Sequence, residues 1–156
     1  MEKTFCTVKT CYSFGRYCRI PGHAGKAAPD EKKAEKKKEK EQLGVFFDLM
    51  IKRAPKKCQE TGKDLRGLMQ INPRIIVAHI LPKRATKDGG VPSMATDKRN
   101  IVFLHGDVHT DMDNKGESFV KSMKIFPLLK KRVEDMWGEI PEDERKNVPD
   151  YLRPKI

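Results

Sequence analysis

The sequence predicts an α+β fold in which two short strands lie between helical segments. The runs RIIVAHIL (residues 74–81) and NIVFL (residues 100–104) are rich in β-branched and apolar side chains, which is typical of short strands. Elsewhere, apolar residues recur every three or four positions, the period of an amphipathic helix. We find no internal repeat and expect four parts: residues 1–28, 29–55, 56–115 and 116–156.

Charge and composition narrow the functional classes. The 156 residues include 33 Lys and Arg against 22 Asp and Glu, a formal net charge of +11. This excess of positive charge favours a polyanionic partner, and nucleic acid is the leading candidate. The alternative is a basic protein that does not bind nucleic acid. No run reaches the roughly 18 apolar residues of a membrane span, and no signal peptide is evident. We expect an intracellular protein that does not bind membranes, with no oligomeric state defined.

Residues 1–28 contain a pattern that predicts a structural zinc site. The spacing is Cys-x4-Cys-x6-Cys-x4-His, which offers four ligands to a tetrahedral ion. In an intracellular protein such cysteines are metal ligands more often than disulfides, and so short a segment needs a metal to fold. We expect Zn²⁺ here, with free cysteines in a flexible leader as the alternative. The predicted ligands are Cys6, Cys11, Cys18 and His23.

Residues 29–55 predict a charged amphipathic helix and linker that start at Pro29 and Asp30. Residues 31–40 carry six Lys and three Glu without an apolar stripe, so this part is either a solvated helix or a nucleic-acid-binding arm. Apolar side chains then recur at helical spacing and predict one buried face. They are Leu43, Phe46, Phe47, Met50 and Ile51.

Residues 56–115 hold three of the four histidines, His79, His105 and His109. If a helix begins near Gly106, then His105, His109 and Asp113 follow one another at four-residue steps along one face. Imidazole and carboxylate on one helical face form half of a divalent-metal site. His79, at the end of the preceding strand, could approach from across the gap and act as a general base. Surface histidines and a hydrogen-bonded strand histidine are the alternative.

From Cys58 to Asn114 the sequence resembles the HNH endonucleases. The residues that carry the resemblance are CQETG (58–62), AHILPKR (78–84), NIVFL (100–104) and HGDVHTDMD (105–113). The resemblance implies a ββα-metal core that hydrolyses DNA, with RNA not excluded, and that holds one divalent cation, Mg²⁺, Mn²⁺ or Zn²⁺. It implies that His79 activates water and that Asn100 orients His79 or its loop. It makes His109 the leading metal ligand, followed by His105 and Asp113.

Two departures from the family pattern affect the expected metal chemistry. Many relatives place Asp or His just before the base, where this chain has Ala78, so His105, Asp113, phosphate or water must complete the coordination, or activity is weakened. Other relatives carry two Cys-x-x-Cys pairs, which are incomplete here, so we expect no zinc knuckle and a packed Cys58 thiol. The rival is a non-catalytic structural zinc site. Its ligands would be Cys58, His79, His105 and His109.

The loop between His79 and Asn100 is expected to be a long surface loop, which is uncommon without a function. Its cations could hold the phosphates that flank a scissile bond, without reading sequence. Each one taken singly could equally be a solvated surface charge. They are Lys83, Arg84, Lys87, Lys98 and Arg99.

Residues 116–156 predict one helix that kinks near Pro127 and ends around Trp137 and Gly138, followed by an extended tail. Its expected core face has helical spacing. The residues are Phe119, Met123, Phe126, Leu129, Val133 and Trp137.

Together these features predict a metal-dependent HNH endonuclease that cleaves DNA. The resemblance suggests mobile elements, phage DNA metabolism or restriction, in a bacterial or phage-infected cytoplasm. The alternative is a catalytically inactive zinc-containing nucleic-acid-binding protein, which Ala78 favours. A third hypothesis is a structural or packaging partner that docks through the Lys-rich helix.

Overall fold

The computed structural model describes residues 29–83 and 89–155, with the side chains of residues 29 and 30 left out. The predicted zinc ligands Cys6, Cys11, Cys18 and His23 and the loop cations Arg84 and Lys87 lie outside the described residues. The chain divides into two compact units, Met1–Gln42 and Leu43–Ile156. None of the helices in the described ranges combines the length and the apolar character that a bilayer span requires.

The described part of the first unit is helical. Helix α1, Pro29–Arg53, starts at the predicted residue and runs on into the second unit. Every side chain from residue 31 to residue 42 is exposed, and Lys37 and Glu41 form an ion pair at 4.0 Å, one turn apart. An exposed pair of this kind contributes little stability, so the helix is held here mainly by the helix-forming character of Lys, Glu and Ala.

The second unit contains a two-stranded antiparallel sheet among helices, which confirms the α+β class. Strand β1 is Val77–His79 and strand β2 is Ile101–Phe103, and His79 pairs with Ile101 in the register. The helices are α2 (Arg66–Ile71), α3 (Gly106–Asn114), α4 (Gly116–Ser122), α5 (Phe126–Met136) and α6 (Glu142–Arg145).

The core of the second unit is built from the predicted apolar faces. On α1, Phe47 and Met50 are buried, and on α5, Leu129 and Val133 are completely buried. The other predicted members are buried or packed against this core. They are Leu43, Phe46, Ile51, Phe119, Met123, Phe126 and Trp137.

The run at residues 74–81 forms a shorter strand than its composition predicts. Pro73–Ile76 is a 3-10 helix, and only Val77–His79 is a strand. Pro73 begins this turn because its fixed φ suits the first position of a helix. The carbonyl oxygen of Ile76 still accepts from the Leu104 amide at 2.9 Å, so the pairing extends past the end of β2.

The loop after β1 is more ordered than predicted in the part that the structure describes. Two short 3-10 helices, Pro92–Met94 and Lys98–Asn100, follow each other there. Val91 and Met94 are buried in the core. The segment therefore runs along the surface as predicted, with exposed side chains such as Ser93 and Lys98, but two apolar side chains fasten it to the core.

The C-terminal part differs from the prediction in two ways. Instead of one kinked helix there are two, α4 and α5, since the Glu60 carboxylate accepts from the Lys124 and Ile125 amides at 2.9 Å each and caps the break. Pro127 lies in the first turn of α5, where a missing N–H costs nothing. The extended tail was also wrong, because residues 142–152 fold into α6 and a 3-10 helix and bury Val148 and Leu152.

Candidate functional site

His79 ends β1 with its imidazole fixed from two sides. Nε2 lies 2.9 Å from the Ala95 carbonyl oxygen, and the ring meets the Phe47 ring edge-on, with centroids 5.7 Å apart. A carbonyl oxygen only accepts hydrogen bonds, so Nε2 must donate, which leaves Nδ1 of the neutral ring with the lone pair. Burial lowers the pKa of His79 below its usual 6.5, and the nearby charge of Lys83 acts in the same direction. His79 is thus neutral at pH 7, with Nδ1 able to take a proton.

Asn100 positions the backbone on both sides of that ring. Its fully buried amide accepts from the Leu81 N–H at 2.7 Å and donates to the carbonyls of Leu81 and Met94 at 3.2 and 3.1 Å. One of these partners follows His79 by two residues, and the other precedes Ala95. Asn100 therefore ties the strand end that carries the imidazole to the turn that fixes its Nε2.

On α3, His109 and Asp113 present a nitrogen and an oxygen to the same point. His109 Nδ1 lies 2.6 Å from the Ile75 carbonyl oxygen and donates to it, so Nε2 carries the lone pair. That Nε2 is 3.4 Å from Asp113 Oδ2, one helical turn further on. Both groups lie near enough to His79 to act electrostatically on its pKa. A histidine that donates its other N–H to a backbone carbonyl is the usual arrangement of a metal ligand.

His105, by contrast, lies at the N-cap of α3 and faces the start of the helix. Its Nδ1 accepts from the Asp107 amide at 3.4 Å and is 3.3 Å from Asp107 Oδ2. The Nδ1 of His105 is thus engaged at the helix cap, whereas His109 and Asp113 contact each other further along the helix. The difference arises because a side chain at the N-cap bends back to the exposed amides of the first turn.

The residues present fit a divalent ion held by two side chains. Nitrogen from His109 and oxygen from Asp113 are a donor set suited to Zn²⁺ or Mn²⁺, with phosphate or water in the remaining positions. In the described ranges, no group of three or more His, Cys, Asp or Glu is arranged to hold a metal. Ala78 contributes only a buried methyl group. The four residues of the rival zinc site do not form such a group either.

The CQETG motif acts as a support for β2. Cys58 is buried as a free thiol, which confirms its prediction as a packed residue. Gly62 has a φ of +73°, a conformation that favours glycine. The Gln59 side chain accepts from the Phe103 amide at 2.7 Å, and the Gln59 amide donates to the Phe103 carbonyl at 2.9 Å. The motif thus pairs with the end of β2, just before α3 begins.

The described loop cations differ in their surroundings. Lys83 Nζ lies 4.6 Å from the centroid of the Phe47 ring, next to His79. Lys98 is exposed. Arg99 is held in ion pairs with Asp97 and Glu139, both at 2.6 Å, which raise its pKa further. A guanidinium that already binds two carboxylates has few donors left for phosphate, so the structure gives Arg99 a structural position.

Sequence reasoning missed a contact between the C-terminal segment and the loop beside His79. Glu144 Oε2 accepts from the Ser93 amide at 3.2 Å, and Asn147 donates to the Gly90 carbonyl at 2.9 Å. Gly89 has a φ of +80°, and a Cβ there would lie 2.5 Å from the Asn147 side chain. These contacts hold the loop that presents the Ala95 carbonyl. In the sequence, the glycines at 89 and 90 indicate a turn, but they do not indicate which residues the turn contacts.

Comparison with protein-family models, with curated proteins and with solved structures gave no match. Function is therefore inferred from the geometry around His79 and His109 together with the motif resemblance.

Proposed function

We propose that this protein is a metal-dependent endonuclease of the HNH type that hydrolyses DNA phosphodiester bonds. The observation that carries the proposal is the pair of imidazoles fixed by backbone carbonyls. Ala95 leaves Nδ1 of His79 with a lone pair, and Ile75 leaves Nε2 of His109 with one, close to Asp113. These two lone pairs support the assignment of proton transfer to the first nitrogen and of cation binding to the second.

His79 is the general base of the proposed reaction. Its Nδ1 takes a proton from a water molecule as the water oxygen attacks the phosphorus atom. A new P–O bond forms, the bond to the leaving oxygen breaks, and the leaving oxygen is protonated from solvent. The lowered pKa of His79 suits this step, because the ring is already unprotonated at neutral pH.

His109 and Asp113 would hold the divalent cation, Mg²⁺, Mn²⁺ or Zn²⁺. When bound, such an ion stabilises the negative charge that builds on the phosphate and on the leaving oxygen. The Ile75 carbonyl keeps the His109 ring in the orientation that this binding needs. Asn100 is a positioning residue, since it contacts the loop around His79 and not the reacting atoms.

The order of elements adds support. Two antiparallel strands with the base on the first, the asparagine just before the second and a ligand helix after it follow the order that the resemblance implies. The structural Zn²⁺ expected on Cys6, Cys11, Cys18 and His23 remains part of the proposal.

A second candidate function is a nucleic-acid-binding protein without activity. The observation that favours it is the two-ligand site: Ala78 offers no third donor, and His105 faces the helix cap.

A plasmid-nicking assay with Mg²⁺ or Mn²⁺ tests the choice, on the wild type and on His79→Ala. Loss of a general base is expected to slow nicking by about 100- to 10,000-fold. EDTA should stop nicking by the wild type, and matching thermal unfolding curves will show that the variant is folded. No nicking by the metal-loaded wild type would reject the enzyme in favour of the binding protein, and equal nicking by both proteins would reject His79 as the general base.

A further inference from the structure

A basic groove lies between the C-terminal end of α1, strand β2 and α5. Its volume is about 410 Å³, and none of His79, His109 or Asp113 lines it. Five cationic side chains and one carboxylate line it, together with apolar residues such as Ile101. The charged members are Arg53, Lys98, Arg99, Lys131, Arg132 and Asp135.

Arg132 is the anchor of this groove. The side chain is partly buried and donates through Nη1 to the Ile101 carbonyl, and burial lowers its pKa. Within the described ranges no carboxylate lies within 4.0 Å of it, although nine ion pairs of other Lys and Arg side chains are present. A partly desolvated cation without a counter-charge is costly, and an anion in the groove would relieve that cost.

The remaining cations differ in how far their charge is already compensated. Arg99 is neutralised by Asp97 and Glu139, and Lys131 lies 3.4 Å from Asp135 in an exposed pair that solvent screens. Arg53 and Lys98 are exposed and have no carboxylate within 4.0 Å in the part of the chain that the structure describes. The groove therefore carries positive charge without a carboxylate partner at the partly buried Arg132 and at the exposed Arg53 and Lys98.

The groove adjoins the proposed catalytic site through two elements. Ile101, which lines it, is the register partner of His79, so their Cα atoms face each other across the strand pair. Met50, also in the lining, follows Phe47 by three residues, about one helical turn along α1, and Phe47 packs on the His79 ring. The groove and the proposed catalytic site therefore share the β1–β2 strand pair and the C-terminal part of α1.

We infer that the basic groove binds the phosphate backbone of DNA beside the scissile bond. This inference rests on the proposed function for the identity of the substrate. Phosphate suits the site because a guanidinium presents paired donors that match phosphate oxygens, and because the whole chain carries a net charge of +11. The groove fixes the position of the duplex and reads no bases.

The test measures duplex DNA binding by fluorescence anisotropy in EDTA, where no cleavage occurs, across a series of salt concentrations. The groove variant carries Arg53→Gln, Lys98→Gln and Lys131→Gln, three exposed positions. The matched control replaces three exposed lysines elsewhere and has the same change in net charge. It carries Lys57→Gln, Lys124→Gln and Lys146→Gln.

The groove variant should bind at least about 10-fold more weakly at 0.15 M salt, and its slope of log K against log salt should be shallower by about 2 to 3. The control should retain the wild-type slope to within about 1. Arg132→Gln, checked for folding by its thermal unfolding curve, should weaken binding as well. Equal slopes for the groove variant and the control would overturn the inference.

A second arm separates DNA from acidic protein partners. Poly-glutamate should compete poorly with the duplex for the wild type at equal charge concentration, and equal competition would overturn the assignment to phosphate. Failure of the proposed function remains distinguishable, because it appears as absence of nicking while the binding difference in EDTA persists. Failure of the groove appears as unchanged binding by a variant of a protein that nicks.

Discussion

The N-cap of α3 and a position one turn into the helix place the same residue type in opposite situations. At the N-cap, the ring of His105 accepts a hydrogen bond from the Asp107 amide, so its Nδ1 lone pair is occupied. One turn later, the ring of His109 donates to the Ile75 carbonyl, so in the neutral ring the lone pair lies on Nε2, which is 3.4 Å from Asp113 Oδ2. A backbone N–H that donates to an imidazole occupies the lone pair of that ring nitrogen. A backbone C=O that accepts from one ring nitrogen leaves the lone pair of the neutral ring on the other nitrogen. The backbone group that meets a histidine, more than its spacing, decides whether it can bind a metal.

The largest expected effect comes from exchanging these two histidines for alanine one at a time. Groups that only support a metal ligand contribute about 10- to 100-fold, so His109→Ala, which removes a ligand, should lower the nicking rate by at least about 100-fold. His105→Ala should change the rate by less than about threefold and cost at most about 1 kcal/mol of stability, as for a lost cap.

The measurement for this pair is the nicking rate as a function of Mn²⁺ concentration, with thermal unfolding of both variants. An equal loss of activity in the two proteins would show that His105 also belongs to the metal site. The proposed difference between the two histidines would then be wrong.

The next largest effect concerns Asn100, whose side chain links the end of β1 after His79 to the turn before Ala95. Asn100→Ala leaves the Leu81 amide and carbonyl without their hydrogen-bond partner in a buried place, whereas the Met94 carbonyl keeps its bond from the Asp97 amide. Each buried polar group left unpaired costs about 1 to 3 kcal/mol, so urea unfolding should show a loss of at least about 2 kcal/mol. Asn114→Ala is the matched control, since that exposed amide donates to the Thr110 carbonyl on the surface of α3, and it should change stability by less than about 0.5 kcal/mol. Similar losses in both would mean that the buried amide does not hold the loop.

The smallest effect is electrostatic and distinguishes His79 from an ordinary exposed histidine. Burial first, and then the Lys83 charge, lowers the pKa of His79 below 6.5, so an NMR titration should place its midpoint below that value. Lys83→Gln should raise the midpoint, since one opposing cation is removed. Nicking should rise with pH through that midpoint, because the neutral ring is the base.

The stability consequence has a definite sign. The unfolded chain binds a proton at His79 more readily than the folded chain, so this group's contribution is fully present above pH 6.5 and is lost as the pH falls towards the folded pKa. His79→Ala should therefore reduce the dependence of the free energy of unfolding on pH below pH 6.5. A midpoint above 6.5 would contradict the buried environment.

The parts of the fold that could be predicted are those that local periodicity determines. Phe47 and Met50 on α1, and Leu129 and Val133 on α5, are buried as their spacing indicates. Long-range contacts had no such signal. The Glu60 carboxylate, about 65 residues away in sequence, divides the C-terminal helix, and no pattern near Pro127 announces it.

The candidate site shows the same division. Spacing placed His109 and Asp113 one turn apart, and the structure brings them to 3.4 Å. The carbonyls of Ile75 and Ala95, which set the open nitrogen of each ring, are backbone groups that any residue could supply, so side-chain chemistry alone could not identify them. Spacing likewise could not show that His105 turns to the helix cap.

The contact of Glu144 and Asn147 with the loop at Gly90 and Ser93 bears on any attempt to shorten this protein. A chain cut after Ile140 would keep every proposed catalytic residue and would still lose the grip on the segment that leads to Ala95. Residues 141–143 are exposed and lie directly before this contact, so cleavage there by a protease should lower the proposed activity without removing any proposed catalytic residue. A shortened chain used to test the proposed nuclease activity must therefore extend through Leu152.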